Sequence, residues 1–335
     1  MRDNVAPGAE TGARLADVSE EELLARIVPL MARADERVLL GPGDDAAVMA
    51  APDGRFVATT DAVARGTDWR DDWSSGDDVG RKVVAQNLGD VAAMGALPAG
   101  LLVTLLADPE TPLDWVLDLA RGIGAAASAA ACPVLGGDLG GAPDGVVMVS
   151  VTAFGDLQGR APILRSGARE GDVVAIAGTL GRSGAGLILL QERPAGAERA
   201  AFGPVEAELV AAHRAPVAPY DAGPLAARHG AQAMIDVSDG LVRDAGRIAA
   251  SSGVRLALAT DLLEADVAAI APALGRERAL EAVLTGGEEH SLLATYPAGT
   301  ALPAPFRAIG RVVAGEGVTV DGRARRGGGW DHFAG

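Results

Sequence analysis

The chain has 335 residues, 49% hydrophobic and 22% charged, a composition typical of a soluble globular protein long enough for two domains. Its net charge of −16 argues against a nucleic-acid backbone or an anionic membrane surface as a partner, because both attract basic proteins. Cys132 is the only cysteine, which excludes an intramolecular disulfide and suits the reducing cytoplasm. No apolar run is long enough to predict a membrane span.

The N-terminal half is predicted to mix helices and strands. Residues 1–18 lack the apolar core of a signal peptide and are expected to form a disordered tail. A helix is expected after Ser19, because Glu22 follows three residues later as in a capping box. The next predicted elements are a strand over 56–60, a helix over 78–94, a strand over 101–106, a helix over 113–131, a short apolar run over 133–135 and a strand over 146–154.

Glycine and polar residues replace the apolar pattern at 155–160, where we place a domain boundary. The chain is thereby divided into an N-terminal domain over 19–157 and a C-terminal domain over 158–335. The C-terminal half is predicted to contain strands over 173–177, 233–237, 254–258, 292–296 and 311–313, a glycine-rich turn over 178–186, and helices from 187 and over 241–251. Helix and strand in both halves indicate an α/β or α+β fold.

Aspartate recurs in five short boxes at predicted turns, at the ends of apolar runs or on a helix face. The boxes are Gly43-Asp44-Asp45, Thr59-Thr60-Asp61, Asn87 with Asp90, Gly136-Gly137-Asp138 and Asp236-Val237-Ser238-Asp239-Gly240. Carboxylates gathered in one cleft repel one another unless a cation lies between them. Because oxygen ligands favour Mg²⁺, which accompanies phosphoryl transfer from ATP, the boxes together indicate that chemistry.

Each box also has an ordinary structural interpretation. The boxes at Asp45 and Asp61 could be plain turns. A buried Asp90 could pair with an arginine. Asp239 could be the N-cap of the following helix, although that would leave Asp236 unexplained. Alternation along a strand puts Asp61 on the same face as Thr59, with Thr60 on the opposite face.

Positive charge near these boxes must come from arginine, because Lys82 is the only lysine and the P-loop and protein-kinase schemes depend on one. Arg165 is the best-placed candidate, with a surface residue of the linker as the alternative. The glycine-rich segment 178–184 leads into a predicted helix, as in a phosphate-binding loop. Glu288 could accept hydrogen bonds from a substrate or belong to a charged turn, and Trp330 could stack on a flat ring.

Together, the motifs resemble those of the thiamine-monophosphate kinase family, in the superfamily of aminoimidazole ribonucleotide synthetase and selenophosphate synthetase. The resemblance covers nearly the whole chain, from about Glu21 to Phe333. It depends most on the segments 41–48, 59–61, 87–96, 136–138, 165–168, 235–240, 286–288 and 329–333. The last two favour the kinase, as does the lack of a catalytic Lys or Cys near the N-terminus.

The resemblance implies a role for each matching residue. Several Mg²⁺ ions would be bound by Asp45, Thr59, Thr60, Asp61, Asp90, Asp138, Asp236 and Asp239, with Asp61, Asp90 and Asp236 at the catalytic centre. ATP would contact Gly137, Asp138, Arg165 and Ser238. Thiamine monophosphate would contact Glu288 and Trp330. The family usually has a substrate-contacting His at the position of Asp68, where a carboxylate would repel a phosphate unless it bound a metal or the aminopyrimidine.

The resemblance also implies an aminoimidazole ribonucleotide synthetase-like fold, with N-terminal domains pairing in a homodimer around a β-barrel-like core. The implied reaction is direct in-line phosphorylation of thiamine monophosphate by ATP, giving thiamine diphosphate. Two alternatives remain: another ATP-dependent enzyme of the superfamily acting on a small phosphorylated substrate, and a nucleotide-binding scaffold without turnover.

Overall fold

A computed structural model of the chain describes residues 12–41, 47–193 and 202–325, and both halves mix helices with strands as predicted. The strands are β1 (Val38–Leu40), β2 (Val48–Met49), β3 (Val57–Ala64), β4 (Leu97–Ala107), β5 (Val134–Gly141), β6 (Val147–Asp156), β7 (Val173–Ala177), β8 (Ala233–Val237), β9 (Arg255–Leu258), β10 (Ser291–Tyr296), β11 (Arg307–Val313), β12 (Gly317–Val320) and β13 (Arg323–Arg325). The helices are α1 (Glu20–Met31), α2 (Gly76–Ala93), α3 (Leu113–Ala129), α4 (Arg182–Gln191), α5 (Pro204–Arg214), α6 (Ala222–Arg228), α7 (Leu241–Ser252), α8 (Glu264–Leu274) and α9 (Arg276–Thr285).

The N-terminal half forms a four-stranded sheet in the order β3-β6-β4-β5. Only β4 and β5 run parallel; the other neighbours are antiparallel. Burial alternates along β6, so that Val149 and Val151 lie in the core whereas Thr152 and Phe154 are partly exposed. Helix α2 contacts the buried face, and α3 packs against α2. The opposite face of the sheet is therefore only partly covered within the described chain.

The C-terminal half forms a seven-stranded sheet in the order β13-β12-β9-β11-β7-β10-β8. Its pairs are antiparallel except β12 with β9. Strand β8 lies at one edge, and every residue of β8 and of its neighbour β10 is buried. The carboxyl end of β8 leads directly into the fifth aspartate box.

Helix α2 joins the two halves, because it contacts the N-terminal sheet and also β8, β10, α5 and α6. The contact with α6 is so close that a Cβ on Gly223 would lie 2.1 Å from the carbonyl oxygen of Ala92. A displacement of α2 would therefore disturb both halves at once.

Among the predicted element boundaries that differ from the structure, three concern predicted site residues or the predicted phosphate-binding loop. Strand β3 continues to Ala64, so Asp61 lies inside a strand whose pairing with β6 continues without a break. Asp138 also lies inside a strand, because β5 pairs with β4 as far as Gly141. Helix α4 begins at Arg182, immediately after Gly181 adopts a φ of 76° that ends the preceding turn.

The segment before α1 and the start of that helix were both predicted from the sequence. Ser19 accepts a hydrogen bond from the backbone N–H of Glu22 at 3.2 Å, which confirms the predicted helix start. Residues 12–18 differ from the expected tail, because Leu15–Asp17 forms a short 3₁₀ helix and Leu15 N–H donates to the Thr111 carbonyl at 3.0 Å. Among the described residues, no helix combines the length and apolar character needed to cross a membrane.

Gly137 is predicted to serve the packing of β5 on β4. A Cβ at this position would lie 1.8 Å from the Val103 carbonyl oxygen, whereas a Cβ on Gly141 in the same strand would meet nothing within 4 Å. Gly137→Ala should therefore reduce the free energy of unfolding by about 1–3 kcal/mol, the usual cost of overpacking. Gly141→Ala is the control, and equal stability of the two variants by chemical denaturation would contradict this explanation.

Candidate functional site

The three predicted catalytic aspartates lie together, although they come from different halves of the chain. Asp61 is on β3, Asp90 on α2 and Asp236 on β8, and their charges act on one another. Gly89, beside Asp90, lies so close to β8 that a Cβ there would be 3.6 Å from Asp236 Oδ2. The structure thus brings together carboxylates that are far apart in sequence.

Local contacts hold the two N-terminal aspartates in place. Thr59 Oγ1 donates to Asp90 Oδ2 at 2.9 Å, which confirms that Thr59 and Asp61 share the face towards α2. The Asp61 N–H donates to Asn87 Oδ1 at 3.0 Å, and Asn87 Nδ2 donates to the Val83 carbonyl at 2.8 Å. Because β3 is an edge strand, Asn87 satisfies a backbone group that has no strand partner.

The site is electrostatically unfavourable for carboxylates alone. Burial, together with the charges of Asp236 and Asp61, raises the pKa of Asp90 to about 7. Burial likewise raises the pKa of Asp61. His290 Nδ1 lies 3.1 Å from Asp236 Oδ2. Burial acts to lower the pKa of His290, but the hydrogen bond and the charge of Asp236 raise that pKa above the ordinary value. The cluster therefore favours an added positive charge.

The oxygen ligands of the cluster suit Mg²⁺, although the described residues alone do not form a complete metal site. Within the described ranges, no group of three or more Asp, Glu, His or Cys side chains is arranged to hold a metal ion. Mg²⁺ usually keeps several waters and takes one or two carboxylates together with substrate phosphates. The buried carboxylates of Asp61, Asp90 and Asp236 can supply those one or two protein ligands. Asp45, also predicted to bind metal, lies outside the described residues.

Two predicted metal ligands lie on the other face of the N-terminal sheet. Thr60 Oγ1 donates to the Val151 carbonyl at 3.0 Å. Asp138 is aligned with Thr104, which is aligned with Ser150, in the row of side chains opposite to the face of Asp61. Within this chain, Thr60 and Asp138 are therefore not brought to the carboxylate cluster. The metal-binding role of both residues was implied by the resemblance. Alternation already puts Thr60 on the face opposite to Asp61, whereas Asp138 was assigned to a turn, where alternation gives no side-chain direction.

The loop after β8 is held by a residue that sequence analysis missed. Fully buried Asp244 accepts hydrogen bonds from the N–H groups of Ser238 at 3.1 Å and Asp239 at 3.0 Å. Burial raises the pKa of Asp244 to about 6. The Asp239 carboxylate pairs with Arg247, and Gly240 is the N-cap of α7, so the N-cap interpretation of Asp239 was wrong.

Arg165 and Asp68 lie in surroundings different from those expected. Arg165 is exposed, and its neighbour Leu164 accepts a hydrogen bond from Met234 at 3.0 Å, near the start of β8. The carboxylate cluster and Ser238 lie at the other end of that strand. Asp68 Oδ2 accepts from the Ala64 N–H at 2.7 Å and thereby closes the turn after β3. Trp330, the predicted ring platform, lies outside the described residues.

Glu288 lies beside the cluster in a polar network. Its Oε2 is 2.9 Å from Lys82 Nζ and 3.2 Å from His213 Nδ1. Burial acts to raise the pKa of Glu288, but the charge and hydrogen bond of Lys82, together with the two neighbouring histidines, hold the pKa below the ordinary value. Glu288 and His290 adopt φ angles of 57° and 52°, a left-handed conformation that few non-glycine residues adopt.

The predicted phosphate loop at 178–184 has another use. The Ser183 N–H, at the start of α4, donates to Glu289 Oε1 at 2.6 Å, and Thr179 Oγ1 donates to Glu289 Oε2 at 2.8 Å. The chain's own carboxylate thus occupies the anion-binding end of this helix. Sequence analysis missed Lys82, His213, Glu289 and His290 as members of the network. The only local signal was the adjacency of Glu289 and His290 to Glu288.

A large groove lies along the partly covered face of the N-terminal sheet. Its volume is about 1080 Å³, and its lining includes Phe56, Gly137, Asp138 and Phe154. The groove is separated from the carboxylate cluster by the thickness of the sheet, since Asp61 faces α2. Gly137 and Asp138 therefore belong to a different surface from Asp61 and Asp90 in the isolated chain.

Sequence comparisons show clear relatives. The family model "AIR synthase related protein, N-terminal domain" matches residues 43–157. The thiamine-monophosphate kinase of Mycobacterium tuberculosis is 46% identical over 306 residues, covering 90% of this chain and 88% of that protein. The thiamine-monophosphate kinase of Escherichia coli K12 is 33% identical over 343 residues, covering 94% and 98%.

Solved structures agree with these relatives. Thiamine-monophosphate kinase from Stenotrophomonas maltophilia K279a superposes with a TM-score of 0.77 at 32% identity, covering 91% of this chain and 96% of that one. AaThiL complexed with AMPPCP and TMP gives a TM-score of 0.75 at 31% identity, covering 96% and 99%. HypE in complex with ATP, at 17% identity and a TM-score of 0.70, shares the fold. The predicted aminoimidazole ribonucleotide synthetase-like fold is confirmed.

The raised pKa of Asp90 predicts how charge affects stability. Because the folded-state pKa is about 7 and the ordinary value is 3.8, the folded protein binds the extra proton and loses stability as pH rises through that interval. In EDTA at about pH 8, Asp90→Asn should therefore raise the melting temperature above that of the unsubstituted protein. At about pH 5 the gain should shrink, because Asp90 is then largely neutral.

Thr59 can donate to the Asn side chain as it does to Asp90, so the substitution keeps the local hydrogen bond. A melting temperature lowered equally at both pH values would show that the charge of the Asp90 carboxylate does not destabilise the folded protein.

Proposed function

Since the chain belongs to the thiamine-monophosphate kinase family, we propose that it transfers the γ-phosphoryl group of ATP to thiamine monophosphate, giving thiamine diphosphate and ADP. The observation on which this depends most is the convergence of Asp61 and Asp90 with Asp236. Carboxylates from both halves at one point are suited to a highly charged substrate that needs cations for neutralisation.

Both substrates are supported by a structural relative. AaThiL is complexed with AMPPCP, an ATP analogue, and with TMP, and its chain aligns with nearly the whole of this one. We infer that ATP and thiamine monophosphate occupy the cleft between the two halves here. Glu288, partly exposed beside the loop after β8, is suited to contact the thiamine portion.

Asp61, Asp90 and Asp236 are the residues that would hold Mg²⁺, and Asp45, which lies outside the described residues, is a further candidate from the sequence. Bound Mg²⁺ would neutralise the charge of the triphosphate and of the acceptor phosphate. The chain's own part is to hold these carboxylates in place, through Thr59 and Asn87 in the N-terminal half. In the C-terminal half, Asp244 fixes the loop that follows Asp236.

Direct in-line transfer is the mechanism that we propose. The acceptor is a phosphate monoester whose second pKa is about 6, so it is already ionised near neutral pH. No general base is then required, and catalysis depends on positioning and charge neutralisation. Buried His290, which is bonded to Asp236, would orient that carboxylate.

We also propose that the chain forms a homodimer through the partly covered sheet face. Exposed apolar side chains border this face, with Phe56 58% exposed and Val48 48% exposed. Pairing of two such faces would cover the groove and bring Thr60 and Asp138 into a shared interior. The domain boundary at 155–160 and a cytoplasmic location remain predictions.

A coupled assay of ADP release tests the proposed function. The protein should release ADP when thiamine monophosphate and Mg²⁺ are both present, and not when EDTA replaces Mg²⁺. Thiamine and other small phosphorylated substrates, offered separately, test the alternative enzymes of the superfamily. ATP binding without ADP release under saturating thiamine monophosphate and Mg²⁺ would contradict the proposal and favour a scaffold.

Asp61→Asn and Asp236→Asn should each lower kcat by about 10²-fold or more, as expected when a transition-state charge partner is lost. Asp118→Asn is the matched control, because Asp118 is an exposed aspartate of α3 paired with Arg121. Circular dichroism should show that all three variants are folded. Normal turnover of either site variant would remove that residue from the proposed centre.

A further inference from the structure

Lys82 is the only lysine in the chain, and the proposed mechanism does not use it. It is 2% exposed on α2, and its Nζ lies 2.9 Å from Glu288 Oε2. The two residues are 206 positions apart, so this ion pair joins the N-terminal half to the C-terminal half. Because Nζ is buried against Glu288, Lys82 is not placed as a phosphate-binding lysine.

Stability alone does not explain a buried lysine at this position. Replacing a buried ion pair by apolar side chains is often neutral or stabilising, because both charges lose their hydration. The neighbours Val79, Val83 and Val84 are fully buried, so an apolar residue would suit this part of α2. The charge of Lys82 is therefore explained by its effect on the residue with which it pairs.

Glu288 is that partner, and it needs a fixed direction. Its backbone N–H donates to the Ser238 carbonyl at 2.7 Å, which places it beside the loop after β8. Both the Lys82 and His213 contacts fall on Oε2, and 34% of the side chain remains exposed. Burial, and then the Lys82 charge, lower the pKa of His213 to about 4, so His213 is neutral and Lys82 supplies the balancing charge.

Helix α2 carries this ion pair and the catalytic carboxylate on one side. Lys82, Gln86 and Asp90 are spaced four residues apart, which places them on the same helix face. Gly89 packs against His290, so that face lies directly on the segment containing Glu288. The position of Glu288 is thus tied to the helix that positions Asp90.

We propose that Lys82 is a positioning residue, which holds the Glu288 carboxylate in the cleft so that it can bind the thiamine portion of thiamine monophosphate. This inference rests on the proposed function. Without Lys82, the Glu288 carboxylate would lose its ion pair at 2.9 Å and would turn towards solvent through its exposed side.

Kinetics of Lys82→Met test the proposal, since Met nearly matches the shape of Lys without its charge. The KM for thiamine monophosphate should rise about 10- to 100-fold, which corresponds to the loss of one charge-assisted hydrogen bond. The KM for ATP and kcat should change by less than about threefold, because an interaction common to ground and transition states is lost. Lys82→Arg should restore part of the affinity. An unchanged KM for thiamine monophosphate, or equal increases in both KM values, would overturn the proposal.

A double substitution shows whether Lys82 acts through Glu288. Lys82→Met with Glu288→Gln should have the same KM for thiamine monophosphate as Glu288→Gln alone. Effects that multiply instead would overturn the proposal. Arg276→Met is the control for loss of an ion pair between elements, because Arg276 of α9 forms an exposed ion pair with Glu264 of α8, with a distance of 2.6 Å. It should leave both KM values unchanged.

A crystal structure of Lys82→Met provides a test that does not depend on turnover. The Glu288 carboxylate should leave its site beside His213, while the backbone of α2 and of 286–290 stays in place. Glu288 found in its original orientation would overturn the positioning role, whatever the kinetics. Failure of the unsubstituted protein to phosphorylate thiamine monophosphate would overturn the proposed function, and this structure would still decide whether Lys82 orients Glu288.

Discussion

Repulsion among buried carboxylates is the constraint on which the site depends. Asp61, Asp90 and Asp236 are held close together by β3, α2 and β8, in a place where burial raises the pKa of Asp61 and of Asp90. His290 is hydrogen-bonded to Asp236, and its raised pKa favours the positively charged form. The remaining imbalance suits divalent cations that arrive with a nucleotide, and such cations would allow an acidic protein to bind the two phosphorylated substrates that we propose.

Helix α2 holds the two halves of the chain in the arrangement that brings these carboxylates together. It packs on the N-terminal sheet, contacts β8 and β10, and meets α6 at Gly223 with no space for a Cβ. Asp90 and Lys82 then face the C-terminal half from the same side of the helix. Asp90 and the Lys82–Glu288 ion pair therefore share one rigid support, which suits the proposed reaction because that reaction depends on positioning.

Much of the fold, and the centre of the site, could be predicted from local sequence. Strand β8 was predicted with its observed bounds because a short apolar run ends at a turn. Thr59 and Asp61 share a face by strand alternation, and Asn87 and Asp90 share one by helical spacing. These periodicities are local, so they survive in the folded chain.

The rest depended on contacts between distant residues. Gly137 and Asp138 look like a turn in sequence, but the pairing of β5 with β4 extends the strand and turns Asp138 to the other face. Asp239 has the sequence pattern of an N-cap, but in the structure its N–H donates to Asp244 and its carboxylate pairs with Arg247. Lys82 and Glu288 have no local signal that would pair them, because only the packing of α2 on the second half brings them together.

The most direct test of the central claim is a crystal structure of the protein grown with AMPPCP and with Mn²⁺ in place of Mg²⁺. Anomalous scattering would locate each metal ion without reference to the protein atoms. We predict ions bonded to the analogue's phosphates and to carboxylates of both halves, Asp61 or Asp90 from one and Asp236 from the other. Ions bound only by phosphates or by surface residues, with these three aspartates unliganded, would contradict the account.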